Sequence, residues 1–556
     1  MRINYDPEKR RLLMWPETQP DFTEILRLPS RRWMRAARMF VVPLHRQNAV
    51  EVAKSLQDKW RADPRIIDAV RRVAFPEKPT RIFPKWYAFK TQPRAIQREA
   101  FNKLYGHDAM ALYMEMASGK SKTWVDVCTA RFYERAIDLV VIVAPLTVKL
   151  STWMDPVKSQ IIQHCPAPYV IHDFSDDRRI PATDGVNLLF VLVNIEALSQ
   201  GSTFKELLTA LAGRKFAIGV DEASRIKNHA AIRTKNMIQI GRMAVMRAIM
   251  TGTPVSKNLI DLYSQFEFLD PDIIGVGDYY AFRNRYAVMG GYKNKEIIGY
   301  SNVDELMGFI APYIYECDKK KALPDLPPKV YMPNRQITLS KEHMQFYNEV
   351  KNALRTDITI KNVLEKALRL HQIVGGYVKN ETGEMVEVVK PAQNAKLQEM
   401  LAVIDEVQGQ VVIWARFLPE IRMIVNVLVD LGGVSIITGE TPKPDRARII
   451  QDFQTGKNRF FVGTASAGGL GIELTAASVT IYFSNTFTYE DRIQSEDRVH
   501  RDGIKTSVAY VDLVAQKTVD VGILRALAQK QDLADFVKGA LRDHPGSQGL
   551  GLVLGL

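Results

Sequence analysis

The sequence predicts an α/β protein built on wound parallel sheets, and three observations carry that prediction. Short apolar runs, 139–144 and 188–193 among them, alternate with helical or loop stretches, the pattern of a wound parallel sheet. The apolar run 216–220 ends in two carboxylates, Asp221 and Glu222. The strand-like run 109–114 ends in Glu115-Met116-Ala117-Ser118-Gly119-Lys120-Ser121 and then a helical run. Open parallel sheets keep their chemistry outside the carboxyl ends of the strands, where both motifs fall.

The second motif reads as a phosphate loop. Gly119 lets the backbone approach phosphates, the amides opening the next helix face an anion, Lys120 adds a point charge, and Ser121 offers a hydroxyl to magnesium. Met114 stands where a leading glycine is usual and Ala117 where a second is often found, so in isolation the segment also reads as a Gly-Lys-Ser turn. The acidic pair divides two tasks of nucleotide hydrolysis: Asp221 orients magnesium and its water shell, and Glu222 polarises the attacking water. An Asp-Glu pair by itself is usually a solvated loop. A third cluster, Gln494-Ser495-Glu496-Asp497-Arg498-Val499-His500-Arg501, sets Arg498 and Arg501 three residues apart on an expected helix, where such residues share a face. Guanidinium groups on one lobe can reach a γ-phosphate held by another and couple hydrolysis to closure. Alone, this run would be a salt-bridged surface helix; the complete ordered set argues otherwise.

Taken together, the motifs resemble a superfamily 2 helicase of the Swi/Snf-like branch of ATP-dependent DNA translocases. The resemblance covers 93–530 and includes Val143-Ala144-Pro145-Leu146-Thr147, the Asp221 motif with Arg225-Ile226-Lys227-Asn228, and Thr251-Gly252-Thr253-Pro254. It continues through Leu326-Pro327-Pro328-Lys329, Leu368-Arg369-Leu370-His371-Gln372-Ile373, Ser466-Ala467-Gly468-Gly469-Leu470-Gly471-Ile472-Glu473-Leu474 and the Gln494 cluster. It implies two RecA-like parallel-sheet lobes with helical insertions, an ATP hydrolase using ATP and Mg2+, and double-stranded or branched DNA as partner.

The same resemblance implies roles for single residues. Gln97 would read adenine through its amide. Ala117, Ser118, Gly119, Lys120 and Ser121 would hold ATP, with Gly471 and Glu473 helping to place it. Thr251, Thr253 and Gln494 would couple the lobes, and Thr147, Thr464, Ser466 and Arg416 would line the DNA track. Two departures stand out: Ser224 replaces a common histidine, and Glu473 a common asparagine. The expected activity is a DNA-stimulated ATPase moving along duplex DNA. The alternatives are a strand-separating helicase and a nucleotide-controlled clamp without turnover.

Composition sets compatible bounds. A chain of 556 residues with 46% hydrophobic residues suits several compact units, and a net charge of +13 favours a polyanionic partner without distinguishing nucleic acid from an acidic protein or membrane surface. The first 80 residues hold 17 basic against 10 acidic side chains, a net +7. Cys128, Cys165 and Cys317 lack zinc-ligand or disulfide spacing, the nine histidines show no ligand pattern, and no run approaches a membrane span. The expectation is a soluble, intracellular protein, cytoplasmic or nucleoid-associated if prokaryotic or viral.

The expected organisation begins with a small α+β accessory domain, 1–79, with strands at 11–15 and 39–44 and a junction punctuated by Pro76, Pro79 and Pro84. Within it, Leu28-Pro29, Trp33 and Phe40 lie beside Arg31, Arg32, Arg35 and Arg38, a set suited to phosphate neutralisation and stacking. The stretch loosely resembles the HARP module of annealing helicases; the alternative is an amphipathic helix with solvated arginines and a buried Trp33. This domain would also be the place for a protein partner. The first lobe is expected over 80–327, with a largely helical insertion over about 255–323 whose aromatics at 262–266 and 282–286 read as core. A helical linker and second lobe follow over 328–535, with strands near 411–415, 460–463 and 479–483, and then a glycine-rich apolar tail, 536–556.

Overall fold

The computed structural model describes residues 1–542 apart from 29–30, 59, 61, 75–82, 253, 255–257, 292–295, 357–362, 380–383 and 466–471. Thr253, Ser466, Gly471 and the end of the tail therefore lie outside the described residues, as does Pro29. Most of the chain falls into two compact units, Met1–Asp318 in the first and Lys319–Leu533 in the second.

The first unit opens with an antiparallel sheet in the order Arg2–Asp6, Arg11–Trp15, Met39–Pro43, Arg32–Met34. Alternation dictates its inner face: Leu12, Met14, Phe40 and Val42 are buried, and Leu12 lies opposite Val42 and Met14 opposite Phe40. The helices Arg46–Asp58 and Pro64–Ala74 contribute Ala49, Val52, Ile66 and Val70 to the same core. The amphipathic-helix alternative for 22–42 fails. A helix occupies only Gln19–Ile25, capped reciprocally by Thr18 and Asp21, and the arginine stretch forms the strand Arg32–Met34, which turns back at Arg38, φ +47°. Trp33 is 40% exposed rather than buried, because pairing with Phe40 and Val41 fixes a strand whose free face looks outward.

The larger sheet of this unit has seven parallel strands in the order Ile314–Cys317, Ala109–Met114, Met246–Thr251, Phe216–Asp221, Leu139–Ala144, Leu188–Asn194, Tyr169–Asp173. Three of its inner strands, Ala109–Met114, Leu139–Ala144 and Phe216–Asp221, are buried along their whole length, which is why they read as unbroken apolar runs. The expectation of a largely helical stretch over 255–323 is corrected in two places. After the helices Leu262–Leu269, Pro271–Ile274 and Tyr279–Tyr286, the chain forms a hairpin, Ala287–Gly290 with Glu296–Tyr300, and Ile314–Cys317 returns as an edge strand beside Ala109–Met114. Phe266, Phe282 and Tyr286 are core, as the sequence implied.

The accessory sheet is docked on this excursion. Arg10 pairs with Asp272 at 2.7 Å, Arg46 donates to the carbonyl of Ile273 at 3.0 Å, and the Gln47 amide donates to Gly275 at 3.2 Å. Gly275 has φ +65°, and a β-carbon there would stand 2.4 Å from the Arg46 backbone nitrogen, so glycine alone permits this approach.

The second unit holds another parallel sheet, in the order Lys329–Tyr331, Val508–Ala515, Ala477–Tyr482, Gln410–Trp414, Phe460–Gly463, Val434–Ile437, and Arg335–Ile337 also pairs with Val508–Ala515. Ile413, Phe460 and Ile481 pack on one face with Met400 and Ile424, while Trp414, Phe461, Tyr482 and Tyr510 pack on the other. The two parallel-sheet units are the two lobes the resemblance implies.

Candidate nucleotide site and nucleic-acid interface

Three strand ends of the first unit converge. Across the sheet Met250 lies beside Asp221 and Thr251 beside Tyr113, so the phosphate loop, the acidic pair and the Thr251 turn leave the same edge. The loop after Met114 makes its turn through Ala117, φ +64°, and Gly119, φ +95°. Ala117 thus holds the left-handed conformation for which glycine is usual. Gly119 precedes the helix Lys120–Tyr133 and offers no capping side chain, which leaves the first amides of that helix for an anion. Lys120 Nζ donates to the carbonyls of Met114 at 2.7 Å and Glu115 at 3.1 Å and so folds back over the loop. Ser121 is half-buried in the first helical turn.

Gln97 does something the sequence did not suggest. Its Oε1 accepts from the Arg94 amide at 3.0 Å and its Nε2 donates to the Ser118 carbonyl at 3.2 Å. Each end of the amide expected to read adenine makes one bond to the protein, leaving a second N–H and a second lone pair, and the side chain, 7% exposed, braces the phosphate loop.

Asp221 is buried at the end of its strand. Its Oδ2 accepts from Trp153 Nε1 at 3.0 Å and its Oδ1 from the Glu222 amide at 3.1 Å. Burial pushes its carboxyl up from the ordinary range, opposed by the Lys120 charge and by these two N–H donors. Glu222 takes φ +56° before the short helical turn Ala223–Ile226, a left-handed non-glycine conformation that costs about 1–3 kcal/mol and persists where surrounding structure imposes it.

Trp153 and its support escaped sequence reasoning. After Pro145 the chain makes a short helical turn, Leu146–Val148, carrying the half-buried Thr147, then a π-helical turn, Lys149–Trp153. Lys149, almost wholly buried, pairs with Asp173 at 2.7 Å and fixes that turn. No short motif signals this; the partners stand 68 and 24 residues away. Among the described residues no three His, Cys, Asp or Glu side chains gather around a metal position. Ser121 and Asp221 nevertheless fit magnesium, which takes one or two protein oxygens and fills its shell with water and phosphate oxygens.

In the second unit the expectation of one helix face carrying both arginines is corrected. The helix Tyr489–Val499 ends before Arg501, with His500 at its C-cap, so the two guanidiniums do not share a face. Arg498 is buried and its carbonyl accepts from the Leu474 amide at 2.9 Å; Arg501 is 26% exposed and meets Glu473 at 3.5 Å. Gln494 is half-buried on the same helix, and Thr464 is half-buried just after the strand Phe460–Gly463. Arg416 lies over the Phe487 ring at 4.5 Å, its guanidinium pKa lowered by burial. Sequence reasoning also missed Arg492, which lies over the Tyr482 ring at 3.5 Å and donates to Glu496 at 2.8 Å and Asp512 at 2.6 Å. Glu496 and Asp497 also receive Lys329, and Asp497 receives Lys319, so the Gln494 motif is anchored by buried, mutually paired charges.

On the accessory sheet Arg31, Arg32, Arg35 and Arg38 are exposed, and Trp33 is held by Phe22 and Phe40, ring centroids 5.7 and 4.7 Å away.

Comparison with known proteins places residues 47–382 on the SNF2-related domain and residues 392–503 on the helicase conserved C-terminal domain. An uncharacterized ATP-dependent helicase of Mycoplasma genitalium is 28% identical over 329 residues, covering 56% of this chain and 30% of that protein. A homologue in Caenorhabditis elegans of the SWI/SNF-related matrix-associated actin-dependent regulator of chromatin subfamily A-like protein 1 is 27% identical over 546 residues, covering 95% of this chain and 71% of that protein. Among solved structures, the Sulfolobus solfataricus SWI2/SNF2 ATPase core in complex with dsDNA matches 82% of this chain and 95% of its own, at 24% identity and a TM-score of 0.39. The chain spans about a third of the length of the Mycoplasma helicase. No described helix is long and apolar enough to cross a membrane.

Proposed function

Because this chain belongs to the SNF2-related family, we propose that it is a DNA-stimulated ATPase that translocates along duplex DNA and remodels protein-DNA complexes or branched DNA. The observation that carries this reading is the convergence of Lys120, Asp221 and Glu222 at one sheet edge, with Asp221 held between Trp153 and the Glu222 amide.

In this reading ATP is the substrate. The amides after Gly119 and the Lys120 ammonium bind its phosphates, and Gln97 keeps the loop in its curved form. Ser121 and Asp221 would hold Mg2+, which supplies charge neutralisation on the phosphate oxygens when bound. Glu222 orients the attacking water and accepts its proton. From the second unit Arg501, with Arg498, is assigned to the negative charge that develops on the transferred phosphoryl group, Gly471 and Glu473 to placing the nucleotide, and Thr251, Thr253 and Gln494 to coupling. Thr147, Thr464, Ser466 and Arg416 are assigned to the DNA backbone, and Arg31, Arg32, Arg35 and Trp33 to an additional contact made by the accessory sheet.

The test is ATP turnover with and without blunt duplex, paired with displacement of a third strand from a triplex. Turnover that rises with duplex, together with ATP-dependent triplex displacement, is expected. Absence of turnover under all conditions would leave a nucleotide-controlled clamp. Separation of tailed duplexes without triplex movement would replace the translocase with a strand-separating helicase.

A further inference from the structure

The stretch that leaves the acidic pair does not end in featureless surface. It runs through the turn Ala223–Ile226, is tied down where Ser264 Oγ donates to the Lys227 carbonyl at 3.2 Å, and reaches His229. The His229 ring stacks on Tyr279, centroids 3.3 Å apart and planes within 10°. Tyr263 abuts Tyr279 edge-on at 5.6 Å and so backs the stack from the core side. Next to it Tyr280 is 62% exposed, far more than a ring placed for packing alone, and stands edge-on to Tyr279 at 5.6 Å.

Cations surround these rings. The Arg283 guanidinium lies over Tyr280 at 5.4 Å, and its Nε is buried without a hydrogen-bond partner. Burial lowers the His229 pKa, and the nearby charges of Lys235 and Arg283 lower it further. Lys235 is exposed, and no ion pair engages Lys235 or Arg283 among the described residues.

Open π-faces interleaved with unpaired cations recognise unstacked bases and the phosphates joining them, whereas a duplex buries its base faces against one another. We propose that the surface formed by His229, Tyr279, Tyr280 and Arg283 binds a single-stranded segment of nucleic acid, stacking a base on Tyr280 while Arg283 meets its phosphates. This rests on the reading of the chain as a DNA-dependent motor and deepens it: the DNA would carry an unpaired arm beside the duplex. The arm would lie against His229, at the end of the stretch that leaves Glu222.

The experiment compares the full chain with Tyr280→Ala, Tyr280→Phe and Arg283→Ala by fluorescence anisotropy, on a blunt duplex and on the same duplex with a thymidine tail, over a salt series. Tyr280→Ala is expected to weaken tailed binding about tenfold while leaving blunt binding within about twofold. Tyr280→Phe should restore it, since the ring and not the hydroxyl does the stacking. Arg283→Ala should lower the salt slope on the tailed duplex by about one ion. A tail carrying 5-iodouracil should photocrosslink to Tyr280. Equal losses on both duplexes would make the surface a duplex-binding one and overturn the single-strand assignment, as would unchanged tailed binding by Tyr280→Ala with an unchanged melting temperature. If the unaltered protein binds neither duplex, the motor reading itself fails.

Discussion

The side-chain amide of Gln97 lies so close to Gly119 that a β-carbon at position 119 would stand 2.1 Å from Gln97 Nε2. The residue expected to read a base also braces the phosphate loop, and the glycine expected to admit phosphates also admits the brace. Gly119→Ala should therefore fail twice, through its φ of +95° and through displacement of Gln97. A loss of about 1–3 kcal/mol in stability is expected, with ATP affinity falling further. Titration with a fluorescent ATP analogue and a thermal melt would measure both, and wild-type values for each would remove the bracing role.

Glu222→Gln keeps size and backbone strain and removes only the carboxylate. It should bind ATP normally and lose turnover by a factor of about 10²–10⁴, while Lys120→Ala should weaken binding itself. Steady-state hydrolysis near wild type by Glu222→Gln would discard it as the group that orients water.

The helix end at Val499 separates the two arginines in their expected behaviour. Arg501→Ala, at a partly exposed site paired with Glu473, should slow turnover with little change in melting. Arg498→Ala, at a buried site, should lower stability by about 1–3 kcal/mol as well as turnover. If Arg501→Ala hydrolyses ATP at the wild-type rate in the presence of DNA, its assignment to the phosphoryl group is wrong.

Burial raises the Glu420 carboxyl from 4.5 to about 7, against hydrogen bonds from Ser484 Oγ and the Phe417 amide. A folded-state pKa above the unfolded value means the native state holds this proton more tightly. Its stabilising contribution is complete below pH about 4.5 and is lost as pH rises through about 7, on the order of 3 kcal/mol over that window. Lys396 favours the ionised form and Asp520 the protonated one. Glu420→Gln, which copies the protonated form, should flatten the fall in melting temperature between pH 5 and pH 8; an unchanged slope would show that other groups set it.

Gly275→Ala puts a β-carbon into the Arg46 backbone, which a small shift cannot relieve. The accessory sheet should then loosen, and amide exchange in the helix Arg46–Asp58 should quicken while the strands of the seven-stranded sheet stay protected. Uniform protection would mean that the Arg10–Asp272 pair and the Arg46 bond hold the sheet without the close approach.

Replacing Arg31, Arg32 and Arg35 together by Ala should reduce the salt slope of duplex binding by roughly 2.7, about 0.9 for each phosphate no longer neutralised. An unchanged slope would leave the accessory sheet without a DNA role.

Much of this protein was legible in its amino-acid order because the signals are local. Residues 109–114, 139–144 and 216–220 are buried on both sheet faces and so read as unbroken apolar runs, and the residues that follow them at the strand ends carry Gly119, Lys120, Asp221 and Glu222. Other features depend on partners far along the chain. Arg32–Met34 is a strand only because Met39–Pro43 pairs with it, and Ile314–Cys317 is a sheet edge only because Ala109–Met114 accepts it. The indole of Trp153, which donates to Asp221, is placed by the burial of Lys149 against Asp173. The amide of Gln97 donates to Ser118, and Arg501 falls past its helix because His500 leaves helical geometry. Side-chain chemistry along the chain determined which groups are available for nucleotide and nucleic acid. Only packing between distant segments, where burial and hydrogen-bond satisfaction choose a partner for each polar atom, decided which of those groups are committed and which stay open.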